Sequence, residues 1–274
     1  MNIAQALAAA ASAAGLERLD AQLLLLHALG RAESDRAWLL AHDTDVVPDL
    51  AAAAFTAACE RRAGGEPVAY IVGHKEFFGL DLQVDARVLV PRPETETLVE
   101  WALELPGDRP RVVDLGTGSG AIALAIKHRR PAAAVEAVDA SCEALQVAVA
   151  NANRLSLEIE FRQASWLSGT ESRYDLVVAN PPYVASGDAH LAALKHEPAQ
   201  ALASGLDGLR DIRAIVAEAP SHLRCNGWLL LEHGWDQASA VRRLLESAGF
   251  AAVASRRDLA GIERCSGGQW LELG

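Results

Sequence analysis

Two hydrophobic rhythms divide the chain. From Met1 to about Ala63, Ala and Leu recur at helical spacing between polar breaks; beyond Gly64-Gly65, short continuous apolar runs alternate with helical stretches. The first part predicts a small helical bundle. Its helices are expected over Ile3–Ala14, ended by Gly15, and over Asp20–Leu29, with Asp20 as N-cap and Gly30 beyond. Two more fit Ser34–Ala41 and Asp49–Arg62, the latter entered after Pro48. Next, Val68–Val72 and Leu80–Val84, joined around Gly73 and Gly79, predict two strands of a hairpin-like connector. Pro93, followed by Glu94 and Glu96, starts a helix carrying Leu98, Val99 and Trp101.

The remainder alternates strand and helix. Strands are predicted at Arg111–Leu115, Ala134–Val138, Glu158–Phe161 and around Leu176–Val178. A fifth buried strand, Trp228–Glu232, follows a turn at Asn226-Gly227, and two closing strands, Ala251–Ser255 and Gln269–Leu273, flank a loop from Asp258 to Gly267. Helices fall over Ala121–His128, Cys142–Asn153, Arg210–Leu223 and Asp236–Ala248. This alternation predicts an α/β sheet with a mostly parallel core.

Composition narrows the class. The 274 residues are half hydrophobic, enough for a sizeable core, and the net charge of −11 argues against broad electrostatic binding of nucleic acid. Four scattered cysteines (Cys59, Cys142, Cys225, Cys265) form no CxxC pair and read as reduced thiols of a cytoplasmic protein. No apolar run reaches membrane-spanning length, and the apolar stretch Ala6–Leu16, preceded by no Lys or Arg, reads as a helix rather than a targeting peptide. No H-E-x-x-H, Cys cluster or Ser-His-Asp arrangement is readable, so no metal is expected. His27 and Trp38 read as core or surface residues of the bundle.

The richest chemistry lies in Tyr174-Asp175-Leu176-Val177-Val178-Ala179-Asn180-Pro181-Pro182-Tyr183. The apolar half is a buried strand; Pro181 and Pro182 cannot continue it, so the chain leaves the sheet at Asn180 as a stiff loop. In open α/β sheets, ligands bind at that carboxyl edge. The Asn180 side chain, the Pro181 carbonyl and the Tyr183 ring together offer two acceptors and a flat face, suited to a planar amino group whose lone pair is delocalised. An ordinary strand exit with a surface tyrosine is the plain alternative.

A glycine loop, Gly116-Thr117-Gly118-Ser119-Gly120, joins the first parallel strand to a helix, and Asp139 ends the next strand nineteen residues past Gly120. It is neither a phosphate loop nor a G-x-G-x-x-G fingerprint. A glycine loop with an acid at the second strand tip indicates an adenosine-bearing cofactor, the acid bonding both ribose hydroxyls. Asp139 as helix N-cap is compatible with that role. Trp166 reads either as a wall for adenine or as a core residue.

On Pro91-Arg92-Pro93-Glu94-Thr95-Glu96, Asp114–Gly120, Asp175–Tyr183, Gly205–Leu209 and Leu230–Gly234, the chain resembles the protein-(glutamine) methyltransferases that modify class-1 peptide chain release factors. The similarity covers nearly the whole chain and extends weakly into the helical amino-terminal part. Asn-Pro-Pro-Tyr alone is shared with amino-methyltransferases of nucleic-acid bases; the Pro-Arg-Pro-Glu-Thr-Glu segment narrows the choice.

The resemblance implies a Rossmann-like, seven-stranded S-adenosylmethionine-dependent methyltransferase domain over residues 86–274. A helical substrate-recognition domain with its hairpin connector would occupy residues 1–85, in a monomer. It implies S-adenosyl-L-methionine as donor and the glutamine of the release factor's Gly-Gly-Gln motif as acceptor. Gly116, Thr117, Gly118, Ser119 and Gly120 would cradle the cofactor, Asp139 bind its ribose, and Trp166 lie beside its adenine, with Asn180 adjoining it. Asn180 and the Pro181 carbonyl would grip the amide, with Pro182 and Tyr183 against it. Ser165 departs from an acid that relatives often carry before the tryptophan. The alternatives are a base-directed amino-methyltransferase, which would flip its target base, and a catalytically silent adenosine-binding module. The chain's own Gly267-Gly268-Gln269 is expected not to be a self-substrate, its glutamine being held in a strand.

Overall fold

The structure, a computed structural model, describes residues 1–105 and 107–271. Two compact units are present, Met1–His74 and Lys75–Gly274. In the first, helices α1 (Ile3–Ala14), α2 (Arg18–Ala28), α3 (Arg36–Ala41), α4 (Asp49–Ala63) and α5 (Val68–Val72) surround a core that includes Leu24, Leu25, Leu26, Leu39 and Phe55. Asn2 and Gln5 form a reciprocal capping box at the start of α1, and Gly15 ends it in the left-handed conformation.

Several boundaries depart from the sequence reading. Asp20 is not a cap: it lies in the first turn of α2 and accepts from Arg62 Nε at 2.7 Å, tying α2 to α4. A 3-10 turn, Glu33–Asp35, replaces the start of the helix expected at Ser34. The largest change is Val68–Val72, helical rather than extended. Pro67 sits at its N-cap and Gly73 at its C-cap, and Tyr70, Ile71 and Val72 are buried in succession. A five-residue apolar run has no decisive period, and its flanking residues settled the outcome.

The hairpin therefore starts later, pairing β1 (His74–Phe77) with β2 (Leu80–Gln83). Its turn residues Phe78 and Gly79 both take positive φ, 51° and 81°, as a two-residue type I′ connection requires. Phe77, Leu80 and Leu82 are buried in one cluster with Leu98, Ile122 and Leu124. The hairpin thus belongs mainly to the second unit, and the division falls at His74/Lys75 instead of residue 85.

The second unit continues through α6 (Glu96–Glu104), β3 (Arg111–Leu115), α7 (Ala121–Arg129), β4 (Ala134–Asp139), α8 (Cys142–Leu155), β5 (Glu160–Gln163) and β6 (Tyr174–Ala179). It closes with α9 (Arg210–His222), β7 (Leu223–Glu232), α10 (Ala238–Ser247), β8 (Ala251–Arg257) and β9 (Glu263–Gln269). The seven-stranded sheet has the order β5-β4-β3-β6-β7-β9-β8. Strands β3 to β7 run parallel, and β9 is antiparallel to both its neighbours. One apolar cluster covers each face, with Val112 and Val178 in the first and Val113 and Val177 in the second. That is the alternation expected of strands buried on both sides.

Strand β5 starts two residues later than expected, because its ladder with β4 runs only from Glu160, opposite Glu136, to Gln163, opposite Asp139. Strand β7 runs through Asn226-Gly227 instead of beginning after it; Asn226 takes φ 65° in the irregular part of the strand. The β8–β9 turn is shorter than predicted, its residues gathered by Asp258, which accepts from Ala260 N, Ile262 N and Arg264 Nε. Gly267, read as the end of the loop, and Gly268, next to it, are ladder residues opposite Leu230 and Leu229. Gln269 consequently ends a strand rather than opening one, and its side chain donates to the Asn226 carbonyl at 3.1 Å. The strand expected to reach Leu273 runs partly outside the described residues.

Candidate active site

Strand register assembles the site. Leu115, the last residue of β3, pairs with Val138 of β4 on one side and Ala179 of β6 on the other. Gly116, Asp139 and Asn180 therefore leave the sheet from adjacent positions, where the chain order reverses from β3-β4-β5 to β6-β7. This is the switch point at which a doubly wound sheet opens a crevice.

The glycine loop is held from below. Gly116 and Thr117 N–H groups both donate to the Val138 carbonyl, at 2.8 and 2.9 Å. The Thr117 hydroxyl donates to Asp114 Oδ2 at 2.6 Å, and Ala123 N–H reaches the same oxygen. Asp114 is fully buried, and its second oxygen has no hydrogen-bond partner. Burial pushes its carboxyl up to about 7, against the opposing effect of the Thr117 and Ala123 bonds. Asn151 of α8 donates to the carbonyls of Ser119 and Gln83 and accepts from Gln83 N–H, fastening the hairpin to the loop.

Asp139 serves two backbone donors: Gly118 N–H at 2.9 Å on one oxygen and Ser141 N–H at 2.8 Å on the other. The helix cap is Ser141, which accepts from Ala144 N–H. Asp139 thus braces the approach to α8 without capping it. A carboxylate has about four lone-pair sites, so each oxygen keeps one acceptor for a ligand hydroxyl.

A cleft of about 550 Å³ opens above these residues, lined among others by Gly116, Gly118, Asp139, Trp166, Asn180 and Pro182. Thr117, Ser119, Gly120, Pro181 and Tyr183 do not line it. The Thr117 and Ser119 residues of the loop are buried. Trp166 combines both of its sequence readings: its ring lines the cleft and packs against the apolar cluster containing Leu115 and Val177. The indole lies so close over Gly116 that a β-carbon there would stand 3.2 Å from it. Ser165 also borders the cleft.

Asn180 Nδ2 donates to Thr95 Oγ1 at 3.2 Å. With its nitrogen so engaged, the side chain keeps Oδ1 as its acceptor. The Tyr183 hydroxyl donates to Glu232 Oε1 at 3.2 Å, and burial, followed by the charge of Glu232, pushes that phenol up. Downstream, Gln237 Nε2 donates to the Tyr183 carbonyl, and Gly208 fits directly beneath it. Across the cleft, the buried Glu197 accepts from Val90 N–H and Arg92, anchoring a loop whose Pro198, Gln200 and Ala201 complete the wall.

Sequence reasoning singled out neither Thr95 nor Glu232, and it missed Asn151 and Glu197. Two carried a signal: Thr95 lies inside the Pro91–Glu96 motif, and Glu232 is an acid closing the apolar run Leu229-Leu230-Leu231. The donor set fits an adenosine-bearing group: spare carboxylate acceptors for vicinal hydroxyls, an indole for a base, and a backbone loop open to close approach. Among the described residues no group of three or more His, Cys, Asp or Glu side chains could hold a metal ion, and no helix is long and apolar enough to cross a membrane.

This sheet order, with a glycine loop, a strand-tip acid and an Asn-Pro-Pro-Tyr exit around one crevice, defines a methyltransferase domain. The family model described as Methyltransferase small domain matches residues 94–249, and the PrmC N-terminal domain model matches residues 2–73. A methyltransferase from Pyrococcus furiosus shares the fold, with a TM-score of 0.56 and 19% identity over 71% of this chain and 90% of that one. Among curated relatives, the release factor glutamine methyltransferase of Xylella fastidiosa (strain Temecula1) is 49% identical over 266 residues, 95% of this chain and 96% of its own. That of Bordetella pertussis is 50% identical over 260 residues, 93% of this chain and 95% of its own. The chain belongs to the release factor glutamine methyltransferase family.

Proposed function

We propose that this protein transfers a methyl group from S-adenosylmethionine to the side-chain amide nitrogen of the glutamine in the Gly-Gly-Gln motif of class-1 peptide chain release factors. The observation that carries the reading is Asn180. It stands at the cleft, beside the glycine loop and Asp139, with its nitrogen tied back to Thr95 and its oxygen left to accept. Bound S-adenosylmethionine supplies a methyl group already activated by the sulfonium charge. The glycine loop and Asp139 would hold the donor's amino-acid and ribose portions, and Trp166 would border its adenine.

The chain's own task is positioning. An amide nitrogen is a weak nucleophile because its lone pair is delocalised. Asn180 Oδ1 at the cleft, with the Pro181 carbonyl as the second acceptor from the adjoining loop residue, draws the N–H hydrogens out of the amide plane, frees the lone pair from conjugation and faces the positive charge that grows on nitrogen in the transition state. No side chain at the cleft is assigned as general base. After transfer the methylated nitrogen, now cationic, gives its surplus proton to solvent. The helical unit is assigned to recognition of the release factor.

The test combines labelled S-adenosylmethionine with intact release factor. Asn180→Ala is expected to lower turnover by about two to three orders of magnitude, the loss typical of one transition-state hydrogen-bonding group, with little change in cofactor affinity. A release factor carrying alanine in place of the motif glutamine should accept no methyl. Labelling of duplex DNA or ribosomal RNA, abolished by Asn180→Ala, would move the assignment to a base-directed amino-methyltransferase.

A further inference from the structure

Behind the Asn-Pro-Pro-Tyr loop lies a carboxylate that the mechanism above does not use. Glu232 ends β7 and is 1% exposed. Its Oε1 accepts from the Tyr183 hydroxyl, and its buried Oε2 has no hydrogen-bond partner. The Thr95 hydroxyl adjoins this carboxylate and favours its charged form, while Thr95 Oγ1 accepts from Asn180 Nδ2. A carboxylate buried this deeply is a poor structural choice, because glutamine or an apolar side chain would avoid the desolvation cost. Its value must lie in what its charge imposes on its neighbours.

Resting on the proposed reading, we infer that Glu232 is a positioning residue that sets the polarity of the chain Glu232–Thr95–Asn180, and so decides which end of the Asn180 amide faces the acceptor glutamine. A hydroxyl beside a carboxylate turns its hydrogen toward the negative charge and leaves only lone pairs for its other neighbour. Thr95 can then serve Asn180 solely as an acceptor, so the amide must direct Nδ2 at Thr95 and keep Oδ1 for the substrate. With the carboxylate neutralised, the Thr95 hydrogen is free to turn to Asn180. The amide can rotate by half a turn and present its NH2 to the substrate's NH2, a donor against a donor. The same carboxylate holds Tyr183, so both ends of the loop answer to one charge.

The surroundings make this charge sensitive to pH. Glu94 and Thr95 face it from the turn before α6, Tyr183 from the loop, and Arg264 and Cys265 from β9. Burial, aided by Glu94, raises the Glu232 carboxyl to about 7, against the opposing effects of Thr95, Tyr183 and Arg264. Turnover with saturating cofactor should therefore fall on the acid side of neutrality in the native protein.

The experiment measures kcat, KM for release factor and cofactor Kd on the full chain for the native protein, Glu232→Gln, Thr95→Val and Thr95→Ser. Glu232→Gln keeps shape but can donate to Thr95. We expect kcat to fall about 10- to 100-fold, cofactor Kd to stay within twofold, and the acid limb of the kcat profile to vanish. Thr95→Val should lose kcat similarly, and Thr95→Ser should retain it. Should Glu232→Gln fail to fold, the valine and serine pair carries the test. An active native enzyme with Glu232→Gln or Thr95→Val matching it in kcat and pH profile overturns the inference and leaves the proposed function standing. A native enzyme that methylates no release-factor glutamine overturns the function itself, and with it this inference.

Discussion

Replacing Asp139 with alanine tests the cofactor half of the site. Its two oxygens accept from Gly118 N–H and Ser141 N–H, leaving one acceptor site on each, which the proposed reading gives to the ribose hydroxyls. Losing a charge-assisted hydrogen bond costs about 1.5–3 kcal/mol, or roughly ten- to two-hundredfold in Kd. Loss of the Gly118 bond adds to this, since the loop is no longer held in its binding geometry before the ligand arrives. Because that N–H is only part-buried, water can replace its partner, and the stability cost should stay near about 1 kcal/mol. Asparagine is not a benign control. One end of its amide would turn an NH2 toward either Gly118 N–H or Ser141 N–H, so Asp139→Asn should also bind weakly. Isothermal titration with S-adenosylmethionine, paired with a thermal melt of each variant, reads both effects. A folded Asp139→Ala protein binding the cofactor with native affinity would refute the ribose assignment.

Two further expectations concern the support beneath the site. Gly208 has φ +73°, and a β-carbon there would stand 2.2 Å from the Tyr183 carbonyl oxygen and 2.7 Å from Gln237 Nε2. Gly208→Ala should therefore displace the loop, cost about 1–3 kcal/mol of stability, and lower kcat more than cofactor affinity, as denaturant melts and steady-state kinetics would show. Asp114 has a folded pKa near 7, raised from 3.8 by burial. The native state thus binds the extra proton between about pH 4 and 7, and Asp114's effect is to lower stability as pH rises through that window. Asp114→Asn should gain on the native protein by on the order of a few kcal/mol between pH 5 and 8 in urea melts; a constant difference between the two would contradict this.

Much of the architecture was legible in the chain. Leu176-Val177-Val178 could only be a strand buried on both faces, and Pro181-Pro182 could only end it. Gly116–Gly120 between a strand and a helix, with Asp139 at the next strand tip, marked the carboxyl edge where the cleft opens. These are local signals: an apolar run, a missing N–H, a small residue at a tight turn. Where local signals were balanced, the expectation failed. Val68–Val72 is short enough to be strand or helix, and Pro67 and Gly73 made it a helix. Gly267-Gly268, glycines that suggest a loop, are ladder residues because β7 passes beside them.

The site's inner support belongs to the tertiary structure alone. Thr95, Asn180 and Glu232 are far apart in sequence, and nothing in the spacing of their residues announces that a threonine before α6 receives the Asn180 amide while adjoining a carboxylate from β7. Sequence determines what each side chain can donate or accept. Which of those capacities is used depends on the partner that register brings within about 3 Å. The chain by itself therefore specified the Asn-Pro-Pro-Tyr loop and the fold that carries it. Only the folded sheet, by placing β3, β6 and β7 side by side, decided which way that loop's amide faces, because the direction of a hydrogen bond is a property of a pair of groups and not of either residue.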